Sequence, residues 1–278
     1  MSGAKKTGMF GSEAYRDVNR EERFYCFLLG HALLVSPHVR NSFAALAQPH
    51  AALDANALEV FVETAALRDY WIALGDPREY TEETHARRRA VLEHLLSCCT
   101  LSSELVDQHD FFWTGRGDAR KLWNPGRWRL PKESSDELPY ATLQNLWNLK
   151  WAMNAKPDML LLSPNAALLL EAKVESGEGA YGDNQGGAGV SKRGARSDAE
   201  VFTARQKDIQ GLIGKLMRAT IPAFHDVPIA NATLGLPGRA DAGEAFDFTW
   251  EQIRVLCDSD EVDAFTRAAF NAMLDRTT

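Results

Sequence analysis

The 278 residues carry 31 Lys and Arg against 38 Asp and Glu, a net charge of −7, with 45% hydrophobic and 25% charged residues. This is the make-up of an ordinary globular chain, long enough for one large domain or two small ones. The acidic balance argues against an indiscriminate nucleic-acid binder, and no apolar run approaches the ~20 residues of a membrane span. The opening Met1 to Gly8 has no apolar core behind its lysines, so it reads as a frayed tail and not as a signal peptide. Cys26, Cys98, Cys99 and Cys257 form no CxxC pair, which favours reduced thiols in a cytoplasmic setting over a zinc site.

Asn19-Arg20-Glu21-Glu22 opens the first predicted helix, with Asn19 as N-cap and Glu22 three residues on, as in a capping box. Phe24, Phe27, Leu28, His31 and Val35 form its expected apolar stripe. Ser36-Pro37 ends it and starts a second helix, serine as cap and proline at the first helical position, running to about Gln48. Asp54 is expected to cap a third helix through Leu74, with Leu58, Phe61, Val62, Ala65 and Tyr70 or Trp71 inward, stopped by Gly75-Asp76-Pro77. Thr81-Glu82-Glu83 starts a fourth that runs to Cys98 or Cys99. Its Arg87-Arg88-Arg89 run reads as a solvated face, with contact to phosphate the alternative, and His85 and His94 as helix-surface residues. The first hundred residues are therefore expected to be mostly helical.

Between Asp110 and Lys132 the character changes. Phe111, Phe112, Trp113, Trp123 and Trp128 interleave with Arg116, Arg120, Lys121, Arg127, Arg129 and Lys132, while Gly115, Gly117, Pro125 and Gly126 keep the segment irregular. Two readings fit. One is a nucleic-acid contact surface working by phosphate pairing and base stacking; the other is a loop pinned to the core by its tryptophans, with the arginines reaching outward. Leu138 to Met153 then reads as a helix with Leu143, Leu146, Trp147 and Trp151 apolar.

The next stretch organises the chain. Met159 to Leu162 and Ala167 to Leu170 are continuous apolar runs, too short for helices and suited to strands covered on both faces. Ser163-Pro164-Asn165 is the turn between them. Asp158 lies at the open end of the first strand and Glu171 at the open end of the second, so the two carboxylates converge. Period two puts Glu171, Lys173 and Glu175 on one sheet face. Two carboxylates and a lysine are costly to bury unless something binds them, and a divalent cation held by Asp158 and Glu171 meets that need.

Pro157-Asp158 followed by Glu171-Ala172-Lys173 resembles the signature of the PD-(D/E)xK, restriction-endonuclease-like nucleases, over roughly a seventh of the chain. The resemblance implies an α/β fold: a central mixed sheet flanked by helices, with a largely helical N-terminal elaboration. It implies that Asp158, Glu171 and the Ala172 carbonyl bind Mg²⁺ or Mn²⁺, and that Lys173 positions the attacking water. Many members carry a further Glu on the first helix, for which Glu22 is the candidate and Glu21 the alternative. Some carry a Gln in the helix after the catalytic strand, with a Tyr four residues later; Gln206 matches, but Gln210 stands where the Tyr would be. Lys156, just before the signature, is a further candidate for substrate contact.

Gly177 to about Asp198 is glycine-rich and polar, with Lys192, Arg193 and Arg196, and reads as a mobile loop at the mouth of the site or a plain insertion. Ala199 to Met217 is expected to be a helix with Ile209, Leu212, Ile213 and Leu216 inward. Pro228 to Gly235 is expected to be a third core strand, Gly238 to Glu244 a turn, Thr249 the cap of a helix, and Asp260 to Leu274 the last helix. The division expected is a helical region, 1–110, whose first helix packs on the core, and a core, 111–278, with a flexible loop at 177–198.

The function the resemblance implies is hydrolysis of phosphodiester bonds, with DNA the expected substrate. A partner protein that targets or activates the enzyme, as in prokaryotic defence or repair, and a cytoplasmic location complete the expectation. The residues in the basic segment that would contact nucleic acid are Arg116, Arg120, Lys121, Arg127 and Arg129, joined by Lys156, Lys192 and Arg193. The alternative is a catalytically silent subunit that uses the nuclease fold to bind nucleic acid or protein in a larger complex.

Overall fold

A computed structural model of the chain describes residues 21–75, 81–115, 120–130, 138–174, 180–182, 203–236 and 245–275. The expected tail at Met1 to Gly8, the Asn19 cap, Arg116, Glu175, Lys192, Arg193, most of the glycine-rich segment and the turn at Gly238 to Glu244 lie outside the described residues.

In chain order the elements are α1 (Glu22–Val35), α2 (Pro37–Ala47), β1 (Glu59–Val62), α3 (Ala66–Ala73), α4 (Glu82–Cys98), α5 (Leu105–Gln108), β2 (Trp113–Thr114) and β3 (Lys121–Leu122). There follow α6 (Tyr140–Asn154), β4 (Met159–Leu162), β5 (Ala167–Ala172), β6 (Ala180–Gly182), β7 (Thr203–Arg205), α7 (Gln206–Thr220), β8 (Ile229–Gly235), β9 (Phe248–Thr249), α8 (Trp250–Cys257) and α9 (Ala264–Asp275). The fold is α/β. No helix among the described residues is long and apolar enough to cross a membrane. All four cysteines are free thiols.

The chain forms two compact units, and each draws on sequence from both sides of residue 110. The first comprises Met1–Thr64, Pro157–Glu178 and Pro228–Thr278. It holds a mixed five-stranded sheet in the order β1-β4-β5-β8-β9. β1, β4 and β5 pair antiparallel; β5, β8 and β9 pair parallel. Leu29, Leu33, Phe43, Trp250 and Phe270 from the helices share one core with Met159, Leu161, Leu168, Leu170 and Leu234 from the sheet. Leu160 and Leu169 turn to the opposite sheet face and are buried too, so β4 and β5 are covered on both faces, as their unbroken apolar runs require.

Local signals set several boundaries. Ser36 caps α2 by accepting from the Val39 amide, and its hydroxyl donates to Glu261 at 2.6 Å. Thr249 and Gln252 form a reciprocal capping box at the start of α8. The Asp263 carboxylate accepts from the amide and hydroxyl of Thr266, so the last helix begins at Ala264 and not at Asp260. Gly235 ends β8 where the Phe246 ring fills the space a Cβ would take.

Other expectations are corrected. The helix expected from Asp54 to Leu74 is replaced by one 3-10 turn capped by Asp54, then β1, then α3. Val60-Phe61-Val62 is a β-branched and aromatic run, and pairing with Leu161-Leu160-Met159 satisfies its backbone as an edge strand. The buried face of α1 is Tyr25, Cys26, Leu28, Leu29, Ala32 and Leu33, while Phe27 and Val35, expected in the stripe, are 65% and 47% exposed. The buried set recurs at three and four residues and is the better helical face. Thr203 to Arg205, expected to be helical, is extended and pairs with Ala180–Gly182, so α7 starts only at Gln206.

The second unit comprises Ala65–Lys156 and Gly179–Val227. In it α4 and α6 pack on α7. The aromatic segment is pinned as one of the two readings proposed: Phe112, Trp113 and Trp128 are buried, and the Trp128 ring meets Phe112 and Trp71 edge-on. The solvated-face reading of Arg87-Arg88-Arg89 holds for the outer two, which pair with Glu83 and with Glu93 and Asp107. It fails for Arg88, which is 1% exposed and donates to the Gly75 carbonyl at 2.9 Å. Of the two histidines, His94 is exposed; His85 is half-buried and edge-on to Trp113.

Candidate active site

The register of the hairpin builds the site. Met159 pairs with Leu170, and one step further Asp158 comes beside Glu171. Asp158 Oδ2 accepts a 2.7 Å hydrogen bond from the Ala172 amide, closing the open end of the hairpin after the strand ladder has stopped. Along β5, Leu168, Leu170 and Ala172 point into the helical core, so Glu171 and Lys173 point to the other face. Lys173 Nζ donates to Glu171 Oε1 at 2.8 Å. Asp158, Glu171 and Lys173 are 8%, 6% and 9% exposed.

Lys173 is fixed through its backbone. Its amide donates to the Leu234 carbonyl at 2.7 Å and its carbonyl accepts from Trp250 Nε1 at 2.9 Å. The head of α1 brings in a third carboxylate: Glu22 Oε1 accepts from the Val174 amide at 3.3 Å and Oε2 lies 3.7 Å from Lys173 Nζ. Glu21 occupies the N-cap position, makes no side-chain capping bond and is exposed. Of the two candidate helix acids, Glu22 is the one brought to the hairpin.

The electrostatics follow from crowding acids in a buried place. Burial pushes the Glu171 carboxyl up to about 7, with the Asp158 charge adding to the rise and Lys173 opposing it. Asp158 is raised by burial, against the pull of the Ala172 amide and Lys173. For Lys173, burial acts to lower the pKa, but the charges of Glu171, Glu22 and Asp158 outweigh it and hold the ammonium above its ordinary value. Cys26 is raised well above the usual thiol range by burial, then by the charges of Asp158, Glu171, Glu22 and Glu63.

Glu63 was not among the residues the sequence pointed to. It follows β1, its amide donates to the Asp158 carbonyl at 3.1 Å, and its carboxylate pairs with Arg23 Nε at 3.0 Å. It holds a left-handed backbone with φ 57°. Its charge contributes to the rise of the Asp158 pKa. The available signal was the run Val60-Phe61-Val62-Glu63, an apolar strand ended by an acid, the same form as Leu168 to Glu171. Thr233 was missed as well. It pairs with Glu171 in the parallel ladder, and its amide and hydroxyl both donate to Asp247 Oδ2, at 2.8 and 2.9 Å.

The other predicted residues belong to the second unit. Lys156 is exposed at its edge, and Gln206 is the first residue of α7, one turn before the buried Gln210. Arg120 pairs with Asp110 at 2.8 Å and lies 4.3 Å from the centre of the Trp113 ring, which is buried and so closed to base stacking. Arg127 and Arg129 flank Trp123, at 5.8 and 4.9 Å from the ring centre.

Three carboxylates meet one ammonium at the hairpin, and each carboxylate is already bonded to a donor of the protein. Among the described residues, no group of three or more His, Cys, Asp or Glu side chains is set out ready to hold a metal ion. The donors are all oxygens, the chemistry that suits Mg²⁺ or Mn²⁺. No family model, no curated protein and no solved structure matches the chain.

Proposed function

We propose that the chain is a metal-dependent nuclease with a restriction-endonuclease-like core, hydrolysing phosphodiester bonds in DNA. The observation that carries this reading is the meeting of Asp158, Glu171 and Lys173 at one end of a buried hairpin, with Glu22 reaching them from α1. Such a cluster is costly to bury. Buried, mutually shifted acids and bases of this kind cluster at functional sites.

In this reading Asp158, Glu171 and the Ala172 carbonyl hold Mg²⁺ or Mn²⁺, with Glu22 as a further acid. The cation supplies Lewis acidity toward the phosphate and lowers the pKa of water. Lys173, held by its backbone bonds to Leu234 and Trp250, orients the attacking water and offsets charge that develops on the phosphate oxygens. Targeting by a partner protein, as in prokaryotic defence or repair, belongs to the same proposal.

The test is cleavage of plasmid and single-stranded DNA in Mg²⁺, Mn²⁺ or EDTA by wild type, Asp158→Asn and Lys173→Ala. Metal-dependent cutting that both substitutions abolish supports the reading. Cutting that neither substitution changes rules out the site. No cutting together with no Mn²⁺ binding at the hairpin favours the silent binding subunit.

A further inference from the structure

Three acids stand in one row at the end of the five-stranded sheet. Val62 pairs with Met159 and Met159 with Leu170; one step beyond, Glu63, Asp158 and Glu171 follow one another across β1, β4 and β5. The Glu63 amide extends the ladder by one bond, donating to the Asp158 carbonyl at 3.1 Å. With Thr100, Glu63 is one of two residues other than glycine at positive φ among the described residues. That backbone is unfavourable for a residue with a Cβ, and residues held in it concentrate at functional sites.

What Glu63 reaches is the head of α1. Its carboxylate pairs with Arg23 Nε at 3.0 Å, and Arg23 follows Glu22, the acid that comes to the hairpin. Glu21 at the N-cap position gives this helix no side-chain capping bond, and a first turn without one is weakly held. Further along, α1 is seated close on the sheet: a Cβ added to Gly30 would meet Val62 Cγ2 at 3.3 Å and Val60 Cγ1 at 3.4 Å. That contact lies about two turns from Arg23, so it fixes the middle of the helix and leaves the direction of its first turn open. The Arg23–Glu63 pair is a second point of attachment, made at the end of the same strand. Since β1 pairs with β4, it refers the position of Glu22 to the strand that follows Asp158.

The contacts of Glu22 are sensitive to that position. Its Oε2 stands 3.7 Å from Lys173 Nζ and its Oε1 3.3 Å from the Val174 amide. Both are long for their kind, so a small swing of the first turn breaks them. We propose that Glu63 is a positioning residue of the hairpin site: through Arg23 it fixes the head of α1 and sets where the Glu22 carboxylate stands relative to Lys173. The Arg23 and Glu63 side chains are 68% and 25% exposed, and an ion pair so placed adds little to global stability. Its contribution is geometric. The effect on cleavage rests on the nuclease reading; the effect on α1 does not.

The experiment follows the Val174 amide and DNA cleavage on the same preparations of the full chain. Hydrogen exchange by NMR in EDTA reads the Glu22–Val174 bond without reference to activity. Arg23→Met and Glu63→Gly are each expected to raise Val174 exchange about tenfold, the size of one hydrogen bond, toward the rate in Glu22→Ala. The Ala172 amide, held by Asp158, is expected to exchange as in wild type. Arg23→Lys, which keeps a cation within reach of Glu63, is expected to retain most of the protection. Glu63→Gly also relieves the left-handed backbone, so its melting temperature is expected to match or exceed that of wild type, a split that a merely structural role would not give. In Mg²⁺, Arg23→Met and Glu63→Gly are expected to lower kcat about 10- to 10²-fold and leave KM for DNA unchanged. Wild-type protection of Val174 in both variants overturns the proposal. So does metal-dependent cutting that Lys173→Ala abolishes and both variants leave intact, a result that keeps the nuclease reading. If the wild type neither cuts nor binds Mn²⁺, the nuclease reading fails and the exchange rates alone decide whether Glu63 anchors α1.

Discussion

The Asp158 carboxylate accepts a 2.7 Å hydrogen bond from the Ala172 amide. The bond does for the last residues of the hairpin what the strand ladder does further in, and it makes Asp158 a structural acceptor as well as a charge. Asp158→Ala leaves that amide unpaired in a buried place and is expected to cost about 1–3 kcal/mol. Asp158→Asn retains an oxygen in the same position and is expected to cost less, while removing the charge a cation needs. Urea unfolding of both variants checks this; equal losses would show that the amide bond is not what Asp158 contributes to stability.

Lys173→Met removes the ammonium and leaves its backbone bonds to Leu234 and Trp250 in place. The nuclease reading predicts a fall in cleavage of about 10²–10³, the range for losing one group that stabilises developing charge. Because Lys173 holds the Glu171 carboxyl down, the same substitution is expected to raise the Glu171 pKa further. A carbon-detected titration of that carboxyl measures the shift, and an unmoved titration would remove Lys173 as its partner.

Stability in EDTA is expected to fall as pH rises from about 4.5 to about 7. Glu171 titrates at about 7 in the folded chain against an ordinary 4.5. Below the lower value both states are protonated and Glu171 contributes no slope. Within the window the unfolded chain has released its proton and the folded one retains it, so raising the pH favours unfolding. The full effect is on the order of 2–4 kcal/mol. Asp158, raised from its ordinary value of 3.8, adds to the same slope, while the lowered pKa of His85 opposes it. Comparing wild type with Glu171→Gln across the window isolates Glu171. The variant should show the flatter curve, and parallel curves would refute the assignment.

Trp250→Phe keeps a smaller aromatic ring in this fully buried position and removes the donor to the Lys173 carbonyl. The buried acceptor is then unsatisfied, an expected loss of about 1–3 kcal/mol. Lys173 loses one of its two backbone anchors, so cleavage is expected to fall along with stability. Thermal unfolding and a cleavage assay on the same preparation test both; loss of stability with full activity would mean that the anchor does not position the lysine.

Much of the candidate site was legible because its signals are local. Met159 to Leu162, the Ser163-Pro164-Asn165 turn and Ala167 to Leu170 carry their strand and turn character within a few residues, and period two then orients Glu171 and Lys173 without further information. Ser36, Thr81 and Thr249 are short side chains beside their own helix starts; Ser36 and Thr249 cap as read, and Thr81 caps the helix its run was read to start.

What the local pattern left open depends on partners distant in the chain. Val60-Phe61-Val62 suits a helix face as well as a strand, and only β4, about a hundred residues on, supplies the backbone groups that make it β1. The inward face of α1 was set by the sheet and the last two helices, which took Tyr25 and Leu29 in place of Phe27. Glu63 joins the acids because β1 pairs with β4, and Arg88 is buried because Gly75 and Trp71 receive it. The sequence by itself determined the hairpin, its two converging acids and its lysine, since backbone propensity and side-chain alternation act over a few residues. Which strand borders the hairpin, which helix acid reaches Lys173 and which arginine of α4 is buried were decided by the tertiary structure, because pairing and burial are settled between segments that no short window contains.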